Sequence, residues 1–507
     1  MKHRTPNTTI QEEFHDACGI GFIAELAGQP GRRVIELAIE ALKKMSHRGA
    51  SAADDHTGDG AGLLTDLPVE YFRMVVEEEL GVKIGEKEIG IAMVFTDEGR
   101  LDALEKSVAS IATELNIDYV GRRKVPTHPG ALGQTARQAC PLIMQFFFAD
   151  LPHQRYDFET RLYLLRKTVE QKFNSLNDGT FICSLSSKTI VYKGMMKPEH
   201  LTRFYSDLNQ PEFKARVALF HERFSTNTIS NWSMAQPFRM LGHNGEINTI
   251  KGNRLWMQTR EETIRSNFWG EELDRLKPLV SLSGSDSYSL DNILEFLVRS
   301  GRSMFHSIMM LIPEPYIYDH DMPTALRDFY IYHENHIEPW DGPAALVFTD
   351  GQWVGAKLDR NGLRPLRYTL TKDNLVIMAS EAGVVDIAEE NVLLHHHMKA
   401  GENFAIRLQD GKMLSNDEII REIIQDGKYS RMIGSGMIAL HRGSDSEEFG
   451  EFMLPPEGFD TRLRVAFGMD KEDLERFLLP MAQSARESVG SMGDDAPPAV
   501  ISTQGRR

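Results

Sequence analysis

The sequence predicts an α+β fold, and three observations carry it. Residues 18–26 place Ile20, Phe22 and Ala24 on one side of an alternating run, the period of a strand. Four short apolar runs at 344–349, 353–358, 366–370 and 376–380 are joined by turns such as Asp350-Gly351 and Asn361-Gly362. Stretches with helical spacing, Val34–Met45 and Phe158–Leu176 among them, lie between these two groups of strands.

The totals bound the function. A chain of 507 residues is long enough for two or more domains and a large core. A net charge of −16 argues against a nucleic-acid partner, which needs clustered Lys and Arg. No window approaches the roughly eighteen unbroken apolar residues of a membrane span, so no membrane partner is expected. Cys18, Cys140 and Cys183 are odd in number and widely spaced. They predict a reducing, cytoplasmic setting without disulfides, and they cannot supply the close thiolates of an iron–sulfur cluster or a Cys-only zinc site.

Met1–Ala17 is polar and charged with no periodic apolar face, and Thr5–Glu13 lacks the apolar core of a lipoprotein signal. Cys18-Gly19-Ile20-Gly21-Phe22 follows. If the leader is removed, Cys18 carries both a thiol and a free α-amine. With unperturbed pKa values of about 8.5 and about 7.7–8.0, the amine can serve as base for the sulfur without a histidine. Taken alone, a cysteine among glycines is more often a small buried apolar residue, and the later motifs reverse that preference.

Val34, Ile35, Ala38, Leu42 and Met45 mark an amphipathic helix that ends at His47-Arg48-Gly49, with Gly49 as its stop. The loop after it holds Asp54, Asp55 and His56, expected to be solvated rather than to hold a metal. Gly58–Gly62 resembles a phosphate loop, but here a helix precedes and a strand follows, the reverse of a dinucleotide site. It reads as a tight turn near the active centre. Further along, Ile89–Thr96 and Cys140–Phe148 read as strands, Arg100–Leu115 as a helix, and Phe181–Tyr192 as two strands turning at Ser186-Ser187. Cys140 and Cys183 are expected in the core.

The densest polar stretch runs from Phe220 to Asn248. It contains Arg223, Ser225, Thr226, Asn244 and Gly245 between apolar brackets, the groups that hold an anionic substrate and a developing oxyanion. Asn244-Gly245 is also an ordinary hairpin signal. Asp286, just before the helix Leu290–Arg299, reads by itself as a cap. His395-His396-His397 cannot all face one ion from a strand. Phe404–Leu408 and Met413–Leu414 close a last hairpin, and Lys471–Ala485 reads as a helix.

Taken together, Cys18–Ala24, His47-Arg48-Gly49, Gly58–Gly62, His221–Thr226, Gly242–Asn248, Ser283–Asp291 and Asp359–Pro365 resemble, in order, the class II glutamine amidotransferases. Within that family they look like the amidotransferase portion of glutamate synthase large subunits. The resemblance implies the N-terminal-nucleophile hydrolase fold, a four-layer αββα sandwich over about 18–425. It implies a propeptide at 1–17, and at 426–507 a linker and the start of a truncated central synthase domain. By the same resemblance Cys18 attacks L-glutamine, and Asn244 and Gly245 form the oxyanion hole. Arg223 grips the substrate carboxylate, Asp286 pairs with its ammonium, and Arg48, in the loop that supports the nucleophile, is counted with them as substrate-binding. No cofactor or metal is expected within this chain. FMN and an iron–sulfur cluster are expected in the part that is missing, together with 2-oxoglutarate and an electron-donating small subunit or ferredoxin. The expected activity of the chain itself is glutamine hydrolysis. The alternatives are another amide substrate, which the Arg223 and Asp286 pair argues against, and an unprocessed inert fragment acting as a folded or regulatory module.

Overall fold

The computed structural model describes residues 18–485 apart from 28, 53, 55, 174–178, 224–229, 318, 320 and 438–458. The leader 1–17, the hydroxyls Ser225 and Thr226, and the tail from 486 onward therefore lie outside the described residues. Two compact units are present, Met1–Gly436 and Met437–Arg507.

The larger unit is built on three antiparallel sheets. The strands are β1 Gly19–Glu25, β2 Ala61–Asp66, β3 Ile89–Thr96, β4 Ile117–Lys124, β5 Leu142–Asp150, β6 Phe181–Ser186, β7 Thr189–Gly194 and β8 Val217–Glu222. They continue with β9 Leu241–Gly245, β10 Ala344–Thr349, β11 Trp353–Leu358, β12 Arg367–Thr371, β13 Leu375–Ala379, β14 Val392–His397, β15 Asn403–Arg407 and β16 Lys412–Leu414. One sheet has seven strands in the order β14-β12-β13-β1-β8-β2-β7. A second has five, β16-β15-β11-β10-β9, and a third has four, β4-β5-β3-β6.

The period-2 alternation of β1 decides how the first two sheets stack. Ile20, Phe22 and Ala24 join Leu64, Val217 and Leu219 of the seven-stranded sheet in one apolar cluster with Ala345, Val347, Val354 and Ile406 of the five-stranded sheet. Ile23 points the other way, into the cluster shared with Val34, Ile35, Ala38 and Leu42 of the helix Arg32–Lys44. On the far side, Phe305 of the helix Met304–Leu311 packs its ring on Phe348 of β10 at 5.5 Å. Helix, sheet, sheet, helix is the four-layer αββα sandwich. The four strand runs at 344–380 do not stay together: β10 and β11 enter one sheet, and β12 and β13 cross to the other.

The four-stranded sheet continues from the edge strand β7 through the short β6–β7 turn at Ser187-Lys188. Its middle strands are apolar on both faces, and the helices Glu98–Glu114 and Phe158–Phe173 cover it. Cys183 lies in its core, whereas Cys140 is only partly buried. β4 has no alternating apolar signal, because Asp118, Arg122, Arg123 and Lys124 interrupt it. Its pairing with β5 also shifts register between Tyr119 and Gly121.

A buried ionic network ties this sheet's cover to the sandwich. Arg166 of the helix Phe158–Phe173 pairs with Glu170 at 2.7 Å and with Glu295 of the helix Asp286–Arg299. Arg239 reaches Glu170 at 2.9 Å, and Arg299 reaches Glu159 at 2.6 Å. Each cation meets a carboxylate, the condition for a buried charge to be tolerated.

In the smaller unit the described residues are helical: Phe459–Ala466, then Lys471–Asp473 running through a wider turn at Leu474–Leu478 into Leu479–Ser484. No helix among the described residues is long and apolar enough to cross a membrane.

β1 leaves no room for side chains at its glycines. A Cβ on Gly21 would stand 2.2 Å from the Met378 carbonyl and 2.5 Å from the Phe220 ring. Gly252, in the exposed helix Ile250–Glu261, has nothing within 4 Å of its Cβ position. Denaturant unfolding should therefore show Gly21→Ala losing about 3 kcal/mol or more, while Gly252→Ala gains about 0.5–1 kcal/mol.

Candidate active site

Cys18 sits at the mouth of the sandwich because β1 begins at the next residue. β1 lies between β13 and β8, with Gly21 opposite Ala379 and Gly19 opposite Glu222. Its start is locked by Ser380: the Ile20 N–H donates to Ser380 Oγ at 3.2 Å, and the Ser380 N–H donates to the Ile20 carbonyl at 2.9 Å. Gly19 has to be small, since a Cβ there would meet Met45 at 3.0 Å. Cys18 is partly exposed and packs against the apolar layer between the sheets, which leaves its sulfur the accessibility that a nucleophile requires.

Arg223 follows directly on β8. Its N–H donates to the Gly60 carbonyl at 2.9 Å, so Gly58–Gly60 form a bend beside the site and Gly62 already lies in β2. Gly60 has φ 150°, and a Cβ there would strike Ala235 at 2.9 Å. Burial pulls the Arg223 guanidinium below its usual range, and Cys18, Asp59 and Asp286 are the charges that oppose that pull. The structure thus gathers Cys18, Arg223 and Asp286 into one electrostatic neighbourhood, although they lie far apart in sequence.

Asn244 and Gly245 end β9, paired with Ala345 and Ala344 of β10. They do not form a two-residue hairpin. Gly245 has φ 153°, and a Cβ would overlap the Pro343 carbonyl at 1.8 Å, so only glycine fits. The Asn244 side chain is buried, and its amide nitrogen has no hydrogen-bond partner among the described residues. A buried donor left unpaired costs about 1–3 kcal/mol, and such a donor is ready to meet an oxyanion.

Asp286 is not the cap. Ser285 is, its hydroxyl accepting from the Tyr288 N–H at 3.1 Å. The Asp286 carboxylate instead accepts from the Ile247 N–H at 2.8 Å, just beyond the Asn244-Gly245 pair. Five residues on, Asp291 accepts from the Met240 N–H at 2.9 Å, just before β9. One helix therefore grips β9 at both ends and fixes Asp286 beside Asn244 and Gly245.

Arg48 has a different local role. It lies in a 3-10 turn, Ser46–Arg48, and its Nε pairs with Glu381, which His47 Nε2 also reaches at 3.0 Å. Glu381 follows Ser380, so Arg48 ties the helix Arg32–Lys44 to the strand end that holds Ile20. Gly49 is not a left-handed stop: its φ is −87°. It is small because Glu222 packs on it, with a Cβ there falling 1.8 Å from Glu222 Oε1. Burial together with the charges of Glu199 and Asp59 pushes the Glu222 carboxyl well above its usual range.

Asp54 forms a local turn, accepting from the Thr57 N–H at 2.8 Å, from Thr57 Oγ1 at 2.7 Å and from the Thr135 N–H at 2.9 Å. Asp55 lies outside the described residues. No group of three or more potential metal ligands occurs among the described residues. The residues that sequence reasoning missed are Ser380, Glu381 and Asp59, whose hydroxyl partner is Ser230 at 2.7 Å. Ser380 closes a recognisable strand, but only the pairing of β13 with β1 shows why it matters.

Comparison with known proteins identifies the family. Residues 18–432 match the family model described as glutamine amidotransferases class-II, and residues 462–507 match the glutamate synthase central domain. The chain is 40% identical over 494 residues to the glutamate synthase [NADPH] large chain of Bacillus subtilis, covering 96% of this chain and 32% of that protein. It is 38% identical over 500 residues to the ferredoxin-dependent glutamate synthase of Pyropia yezoensis, covering 97% and 32%. The chain thus spans about a third of the length of these relatives. With a matched family model over most of its length, and a cysteine, an arginine and an Asn-Gly pair set as above, the chain belongs to the class II glutamine amidotransferases.

Proposed function

We propose that this site hydrolyses the side-chain amide of L-glutamine through a Cys18 thioester, once cleavage after Ala17 frees the Cys18 amine. The observation that carries the reading is the buried, unpartnered Asn244 amide beside Gly245, on the same wall as Asp286. The Cys18 amine takes the thiol proton, and the sulfur adds to the amide carbon. The oxygen that gains charge is met by Asn244 Nδ2 and the Gly245 N–H. The intermediate collapses by breaking the C–N bond, and the proton held by the amine goes to the departing nitrogen, which leaves as ammonia. Water, deprotonated by the same amine, then cleaves the thioester to glutamate and restores the thiol.

Recognition of an amino acid rather than another amide rests on opposite charges at a fixed separation. Arg223 offers a planar fork to the α-carboxylate, and Asp286 keeps lone pairs for the α-ammonium beyond those given to Ile247 and Ser287. Arg48 acts through Glu381 to hold the loop beside the nucleophile.

In this reading the ammonia is destined for 2-oxoglutarate in a synthase site outside this chain; relatives named as an NADPH large chain and as ferredoxin-dependent support a small subunit or ferredoxin as the electron source. FMN and an iron–sulfur cluster would belong to that site. They do not fit the residues of this chain. Cys18 lies beside the seven-stranded sheet, Cys140 precedes β5 of the four-stranded one, and burial pushes the thiols of Cys140 and Cys183 up to about 11 and about 12. These are thiols held neutral, not thiolate ligands, and no step runs through either group.

Intact mass and ammonia release from glutamine test the proposal together. The active species should begin at Cys18, and Cys18→Ala should abolish ammonia release while leaving the fold intact. Ammonia release that survives Cys18→Ala would refute the nucleophile. Asn244→Ala should lower kcat by about 10²–10³ with little change in KM. Arg223→Lys should chiefly raise KM for glutamine, because an ammonium cannot replace a bidentate guanidinium.

A further inference from the structure

A second polar cavity lies on the helical layer outside the five-stranded sheet, formed by residues that the glutaminase chemistry does not use. Its volume is about 410 Å³. It opens between the end of the helix Asp286–Arg299, the start of the helix Met304–Leu311, and the helices Thr324–Glu334 and Lys428–Gly436. Four basic side chains line it: Arg302, His306, His333 and Lys428.

The two imidazoles touch. His306 Nε2 and His333 Nε2 are 2.9 Å apart, so one proton is shared between them, and the Tyr429 hydroxyl lies 3.3 Å from His306 Nε2. His333 is 4% exposed, and its other nitrogen, Nδ1, is buried with no hydrogen-bond partner among the described residues. Burial pushes His306 down to about 4 and His333 down to about 2, and the charges of Arg302 and Lys428 push both the same way. Two cations therefore bear directly on one neutral imidazole pair.

Those cations are poorly compensated. Arg302 is drawn below its usual range by burial, and the groups that oppose this are the hydroxyls of Tyr429 and Tyr332, not a carboxylate. Lys428 Nζ stands over the Tyr429 ring at 5.7 Å. The one acid on the lining is Asp426, exposed at the rim and accepting from the Lys428 N–H at 2.9 Å. This differs from three fully buried arginines of the scaffold: Arg123, Arg166 and Arg239 each meet a carboxylate within 3 Å. A half-buried guanidinium beside a lysine, with only a rim carboxylate between them, is in deficit of negative charge.

We propose that this cavity binds a small oxyanion, a carboxylate or phosphate group, held by Arg302 and Lys428 and by the free edge of the His306–His333 pair. The planar guanidinium supplies a bidentate grip, the ammonium a point charge, and His333 Nδ1 a donor in the tautomer that places its proton there. A ligand so held ties the loop that carries Arg302 to three helices, including Lys428–Gly436, the last helix of the larger unit. The assignment is independent of the glutaminase reading and would survive its failure.

The test is calorimetric titration of the whole chain with inorganic phosphate and, separately, with succinate, in wild type, Arg302→Gln and Lys428→Gln. Far-UV circular dichroism establishes that each variant is folded. One-site saturable binding is expected, weakened about tenfold or more by either substitution. Binding of phosphate alone would assign a phosphate group, and binding of succinate alone a carboxylate. Should Arg302→Gln not fold, the exposed Lys428→Gln decides. Nuclear magnetic resonance of histidine-labelled protein should show the His306 and His333 ring signals moving in the same titration. No saturable binding of either probe, binding unchanged in the folded variants, or ring signals that stay still would each overturn the proposal.

Discussion

The antiparallel seat of β1 between β13 and β8 is the constraint on which the rest depends. Cys18 gains its position from the strand it precedes, and that strand is held by both neighbours and by Ser380. The seat is tight. Gly19 meets Met45 and Gly21 meets Met378 and Phe220, so the strand cannot slide or swell without driving atoms together. A one-residue slip would also turn Ile20, Phe22 and Ala24 out of the layer between the sheets. The same register sets Gly19 against Glu222 and so brings Arg223, the next residue of the neighbouring chain segment, to the side of Cys18. Chemistry and packing are fixed by one pairing.

The second wall is set in a different way. β9 is short, and its last two residues carry polar chemistry in place of apolar anchors. What holds it is the helix Asp286–Arg299, which accepts from Met240 at one end of the strand and from Ile247 past the other. That helix is in turn held by Arg166 and Arg299 reaching from and to the helix Phe158–Phe173. A chain of buried, charge-assisted contacts therefore runs from the four-stranded sheet to the carboxylate proposed to read the substrate. The four-stranded sheet, remote from Cys18 in the fold, serves the site by fixing Asp286.

Much of this was legible in the sequence. Alternation gave β1, β3, β5 and the strands at 344–380, because each has a buried face with period 2 or is buried on both sides. The Asn-Gly and Cys-Gly pairs were visible as motifs, and each glycine has its reason: Gly245 has a positive φ of 153°, and Met45 leaves no room for a Cβ on Gly19. The partition of 344–380 between two sheets was not legible, since nothing local distinguishes a hairpin that stays in its sheet from one that crosses. β4 was missed because its apolar signal is broken by Arg122, Arg123 and Lys124. Arg123 spends its charge inward, on Asp207 at 2.6 Å and Glu79 at 2.8 Å, a contact no periodicity reveals. Gly49 was read as a helix stop when its smallness answers to Glu222, far away in sequence. Pairwise tertiary contacts of this kind leave no mark at either position alone.

Buried ionisable groups are handled differently in the scaffold and at the ends of β8 and β9. In the network around Arg166 and Glu170 every charge has an opposite within reach, as stability requires. At the ends of β8 and β9 the pattern inverts. Asn244 Nδ2, His243 Nε2, His221 Nδ1 and Glu222 Oε2 are all buried without a hydrogen-bond partner among the described residues. Burial pushes His221 down to about 3 and lifts Glu222 well above its usual range, so both stand neutral next to Arg223. His221 keeps its proton on Nε2, which donates to the His243 carbonyl at 3.0 Å, and thereby holds β8 to β9 without adding charge. Each unpaired group costs of the order of 1–3 kcal/mol, a sum comparable to a large share of a domain's net stability. Unpaired buried atoms occur elsewhere too, Thr65 Oγ1, Arg166 Nε and Asn403 Oδ1 among them, but these four stand together at two adjacent strand ends, beside the wall proposed to meet a substrate's polar atoms.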